Sequence, residues 1–268
     1  MSDRRRAAAV SALRSGFLEE ALTLADSCRP GRPLPDVDES TQRFVVLADL
    51  AIESGAVEDA ERCLRAGLEH YTGRSPNVRA VMELRRRIAL LLVAQGRVTE
   101  ALSQLREITA ATQQAFGLSD LQFGLAVNSL GVALRWTGDL AGARACFAAA
   151  AEAFAVTGPD SEHTATVLLN LSELSMATGD PSSGLRGARR AVAIWERHAD
   201  GSDLNLGAAV ANLGRLLYET GEPSEAARCF SRAADLLAGH LGEDHPEVVT
   251  HRHNQSIASA EAAEMHGQ

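Results

Sequence analysis

The chain has 268 residues, 46% of them apolar and 23% charged, enough to bury a core rather than stay disordered. Its formal charge is -9, with 35 acidic residues against 26 basic ones, so it lacks the basic surface that phosphate contacts require and is not expected to bind nucleic acid. All the basic residues are arginine, which excludes a P-loop, a Schiff-base lysine and lysine general-base chemistry.

Aromatic residues make up only 4%, and the abundance of Ala, Leu and Arg favours closely packed helices over sheets. At the N-terminus, Arg14, Glu19 and Glu20 interrupt the apolar stretch, so no signal-peptide core is expected, and no uninterrupted apolar run approaches the roughly 18 residues of a membrane span. Residues 1–28 read as a degenerate helical hairpin. Residues 29–39, RPGRPLPDVDE, read as a linker because three prolines cannot continue a helix. Residues 36–40 faintly suggest a cation loop but lack its glycine and downstream glutamate, which leaves helix capping as the better account. The rest, 40–268, is governed by a repeat.

That repeat aligns on Gly55, Gly96, Gly138, Gly179 and Gly221, separated by 41, 42, 41 and 42 residues, and Gly16 extends it toward the N-terminus. Five residues after each glycine stands a small residue (Ala21, Ala60, Ala101, Ala143, Gly184, Ala226), and seven before it another (Ala9, Ala48, Ala89, Gly131, Ser172, Gly214). In a helix–turn–helix hairpin these positions face each other where the backbones approach most closely, and a larger side chain would overpack them. Leu64, Leu105, Phe147 and Phe230, nine residues after their glycines, are expected to pack between hairpins. Each glycine suits the end of a first helix, where a left-handed conformation closes the turn.

These fingerprints resemble the tetratricopeptide repeat, and the long period is similar to the extended units of the kinesin light chain. The resemblance is carried most strongly over residues 119–268, by NSLGVALRWTGDLAGARACFAAA, NLSELSMATGD, NLGRLLYETGEPSEAARCFSRAA and the link LGEDHPEV. Repeats one to three keep the glycine and alanine skeleton without the asparagine or the link, and no heptad stretch is present, so a kinesin subunit is not expected. The fold expected is all-α, a right-handed solenoid of about six helical hairpins with a capping helix at 246–264.

The resemblance also implies a site. First helices of the hairpins line a concave groove, and the positions ten, nine, six, three and two before each turn glycine project into it. Carried over, these are Arg86, Arg87 and Leu90; Asn128, Ser129, Val132, Arg135 and Trp136; Asn170, Glu173 and Met176; and Asn212, Arg215, Tyr218 and Glu219, joined by His253 and Asn254. Asn170, Asn212 and Asn254 lie 42 residues apart and are expected to form a ladder of amides, which in resembling proteins grips the backbone of an extended peptide; bonding between hairpins is the structural alternative. Asn128 stands one place out of register when counted from its turn glycine. Four groove arginines on an acidic protein hint at an acidic ligand, although Glu173 and Glu219 weaken that field.

Cys63, Cys146 and Cys229 occupy one slot of three repeats, too far apart to gather around a metal, and Cys28 has no partner signal. Four cysteines without a C-x-x-C pair suit a reducing cytoplasm. His240, His245, His251 and His253 cluster near the C-terminus, yet His251 and His253 point to different sides of a helix; neither metal nor cofactor is expected. No H-E-x-x-H, G-x-S-x-G or G-x-G-x-x-G occurs. The leading function is a non-enzymatic module that binds a peptide or protein. The alternative is a small-molecule receptor or proton-transfer or cyclisation enzyme, with a pocket of Trp136, Glu173, Met176, Arg215, Tyr218 and His253, Glu173 or His253 serving as base and Arg215 or Tyr218 steadying an oxyanion.

Overall fold

A computed structural model describes residues 2–28, 37–71, 77–198 and 203–266. The described residues form thirteen α-helices and no strand. Six hairpins follow in order: α1 (Ser2–Arg14) with α2 (Leu18–Asp26), α3 (Glu39–Glu53) with α4 (Val57–His70), α5 (Val78–Ala94) with α6 (Val98–Phe116), α7 (Leu121–Trp136) with α8 (Leu140–Thr157), α9 (Glu162–Ala177) with α10 (Pro181–Arg197), and α11 (Asp203–Glu219) with α12 (Pro223–Leu241). A last helix, α13 (Pro246–His266), packs against α12, as the period requires.

The turn glycines act as the spacing predicts. All six have φ between 72° and 84°. At Gly138 the amide reaches back to Arg135 O at 3.1 Å while the next amide, of Asp139, reaches Leu134 O at 3.0 Å. This pair satisfies two carbonyls that the end of α7 would otherwise leave unbonded, and it needs a left-handed residue between them. Pro181 and Pro223 open α10 and α12, where a missing N–H costs nothing.

The small positions are contact points. A Cβ added to Gly131 would lie 2.6 Å from the Phe147 ring and 3.1 Å from Cys146 Cβ, so α7 and α8 touch there almost backbone to side chain. At Gly214 the corresponding neighbours are Cys229 and Phe230, each at 3.1 Å. Ser172 uses its hydroxyl as well, donating to Gly184 O at 3.2 Å. The interlocking residues Leu64, Leu105, Phe147 and Phe230 are all buried.

The helices divide into two compact units between Leu118 and Ser119. The domain boundary read at 29–39 lies mostly outside the described residues; Asp38 there caps α3, its carboxylate accepting from the Thr41 amide at 2.8 Å. In the first unit, α1 and α2 pack on α3, and Arg6–Glu53 and Arg14–Asp59 pairs at 3.4 and 3.3 Å tie the first hairpin to the second. In the second unit one core joins α7, α8 and α9 around Phe123, Phe154 and Val167, and a larger one runs from Ala165 on α9 to Ala258 on α13. By length and mean hydropathy of 1.3, α8 matches a membrane span. The helix is an alanine series broken by Arg144 and Glu152, so it holds no uninterrupted apolar run of that length, and its Phe147 and Phe154 belong to the core.

Candidate binding groove

The site residues named from the sequence fall into three groups, distinguished by what their side chains already touch.

In the first unit, Arg86 and Arg87 are engaged by their own protein. Both bond Glu83, one turn back on α5, with Arg86 Nη2 at 2.7 Å and Arg87 Nε at 2.6 Å from Oε1, and Arg87 Nη1 reaches Asp49 on α3 at 2.7 Å. The Glu83 side chain is only 4% exposed. Burial alone would raise its carboxyl, but the two guanidiniums outweigh burial and hold it at about 2. Sequence reasoning passed over Glu83, although its spacing of three and four residues from the arginines on one helix was the available signal.

In the second unit, Arg135 of α7 is bonded to Glu173 of α9, so this cation and this anion cancel. Trp136 beside it is 66% exposed, and Met176 is half-buried against the larger core. The asparagines make a partial ladder. Asn170 Nδ2 donates to Asn128 Oδ1 at 2.9 Å across 42 residues, so Asn128 joins the ladder that its position relative to Gly138 had set it apart from. Asn212, the next rung, is 3% exposed, and neither its Nδ2 nor its Oδ1 has a partner. Ser129, by contrast, turns its hydroxyl onto Leu125 O within its own helix.

The last group lines a cleft of about 290 Å³ between α11 and α13, formed by Arg215, Tyr218, Glu219, Phe230, Asn254 and Ile257. Four of these six were expected; Phe230 was read as packing, and Ile257 was missed, although it stands one period after Arg215. Arg215 makes no ion pair among the described residues and is the one predicted groove arginine left without an anion. The Tyr218 hydroxyl is held by Glu261 of α13, and this bond, with some burial, keeps its phenol protonated to higher pH. Of the six residues of the enzyme or receptor pocket, the cleft brings together Arg215 and Tyr218; Glu173 is paired with Arg135, and His253 is exposed. His245 lies in the α12–α13 link, its Nδ1 accepting from the Glu247 amide at 3.3 Å.

The described residues thus form an array of helical hairpins whose first helices carry asparagines at a fixed period, and comparison with known proteins agrees in fold. Residues 207–247 match the tetratricopeptide repeat family. The structure is similar to that of BtubC (BKLC) from P. vanneervenii, with a TM-score of 0.62, 19% identity, and coverage of 92% of this chain and 94% of that one. It is also similar to the nearly identical TPR-like repeats of a Podosopora anserina putative kinesin light chain (TM-score 0.54, 17% identity, 76% and 99% covered). A thermophilic TPR protein of Thermus thermophilus gives a TM-score of 0.55 at 16% identity, with 82% and 99% covered. No curated protein matches the chain by sequence. At these identities the likeness establishes the helical-repeat fold.

Proposed function

We propose that the second unit is an interaction module that holds an extended peptide or protein segment along α7, α9, α11 and α13. The observation that carries this reading is Asn212. A buried amide with no partner costs free energy unless something else engages it, and Asn212 lies in line with a bonded pair, Asn128 and Asn170, on one side and with Asn254, which lines the cleft, on the other. Asn212 is covered in the free chain, so engaging it requires the side chains over it to move aside on binding; once uncovered, one amide can both donate to a peptide carbonyl and accept from a peptide N–H, and a ladder of them suits a backbone regardless of sequence. Arg215 then supplies preference for a single acidic side chain at the C-terminal cleft, while Glu219 on the same wall disfavours an acidic run.

The test begins with capture of the tagged protein from its native lysate and identification of everything retained. A stoichiometric polypeptide that is lost in the Asn170→Ala, Asn212→Ala double variant, still folded by circular dichroism, supports the module. Unchanged affinity in that variant rejects the ladder. A retained small molecule with no polypeptide favours the receptor or enzyme instead.

A further inference from the structure

We propose that α13 is an acid-sensitive latch: protonation of His251 loosens it from α12 and dismantles the cleft that it walls. His251 sits on the buried side of α13, its ring stacked on Phe230 of α12 with centroids 6.4 Å apart and planes 10° from parallel. Its Nδ1 is buried and has no hydrogen-bond partner. A neutral imidazole tolerates such a place on an aromatic face, whereas an imidazolium would need a solvated or bonded N–H on both nitrogens. The charged groups facing it offer little relief. Arg215 of α11 is a like charge, and Glu247 of α13 itself is the one opposing anion acting on it. From α12 the ring meets Phe230, and Asp235 of that helix is occupied by Arg252 at 2.9 Å. Burial, the largest influence, holds the imidazole below its usual value of 6.5, with Glu247 opposing and Arg215 adding to the effect.

The linkage fixes the sign. In the docked helix His251 resists protonation relative to the released helix, where it takes up a proton below about pH 6.5. Docking is therefore undiminished above that pH and weakens as pH falls toward the docked midpoint, by at most about tenfold in the opening equilibrium per pH unit for one proton. Phe230 and Arg215 line the cleft that α13 closes, so release of the helix removes Asn254 and Ile257 from opposite them. That consequence for ligand binding rests on the groove reading above; the latch itself does not.

The experiment is amide hydrogen exchange of the full chain at about pH 7.5 and about pH 5, corrected for the intrinsic pH dependence of exchange and read on peptides from α13. Protection of α13 is expected to fall several-fold at the lower pH relative to peptides from α7 and α9. In His251→Phe, which keeps an aromatic ring on Phe230 and leaves His240, His245 and His253 in place, that selective loss should vanish. Equal pH dependence in the two proteins overturns the proposal, as does an unchanged α13 in the wild type. NMR titration of the His251 ring gives a second reading that needs no variant: a midpoint at or above 6.5 overturns the latch. Binding through the asparagines at neutral pH is measured separately, so the two readings fail independently.

Discussion

An asparagine buried without partners costs roughly 1–3 kcal/mol, and a folded protein keeps such a group where it serves something other than stability. Asn212 therefore yields a pair of opposed expectations. Asn212→Ala should leave stability unchanged or raise it by about 1 kcal/mol in urea denaturation, while weakening the groove ligand. Asn170→Ala breaks the bond to Asn128 and should cost about 1 kcal/mol. Equal destabilisation by the two substitutions would place Asn212 in a bonded ladder and remove the argument for an external partner. Glu83 is the opposite kind of buried group, fully paired. Replacing it by Gln leaves two half-buried guanidiniums without their shared anion and should cost about 3 kcal/mol, read by thermal melting. Because its carboxyl is held near 2 when folded, it stabilises above its unfolded value of 4.5, and that contribution is lost as pH falls from 4.5 toward 2. Asp49, raised by burial against the pull of Arg87, shifts the other way and blunts the effect.

Each hairpin depends on two different uses of a small residue, which can be separated by substitution. At Gly138 there is open space around a missing Cβ, but φ is 82°, so Gly138→Ala should cost about 1 kcal/mol through backbone strain alone. At Gly131 the backbone is helical and Ala would ordinarily stabilise, but its Cβ would meet Phe147 at 2.6 Å, and overpacking should cost about 2 kcal/mol. A Phe147→Leu background should rescue Gly131→Ala and not Gly138→Ala; rescue of both, or of neither, in denaturant melts would contradict this division. The capping helix is a further case of context. Among the described residues α13 buries Val248 beside Leu237 and Ala258 in the larger core. It leaves Val249, Ile257 and Met265 exposed.

For the whole molecule, the division at Leu118 and Ser119 carries its own prediction. The second unit has two cores that meet on α9, where Val167 belongs to one and Ala165 to the other, so residues 119–268 expressed alone should remain helical and unfold cooperatively, as a repeat array stabilised by nearest-neighbour contacts does. A non-cooperative melt of that fragment would mean that the core needs the preceding hairpins.

Period, turns and close contacts were legible in the sequence because a solenoid repeats one local problem: a glycine ends the first helix, and two small residues let the second lie against it. The helix order follows from that spacing. Charge state was not legible. Arg86, Arg87, Arg135 and Arg215 look alike as groove arginines, yet three are neutralised by Glu83, Asp49 or Glu173 and one has no anion among the described residues. Ion pairing depends on which rotamers meet across neighbouring helices, and periodicity constrains backbones rather than side-chain ends. For the same reason only tertiary structure could decide that Asn128 is bonded, Asn212 buried and unbonded, and His251 pressed against Phe230.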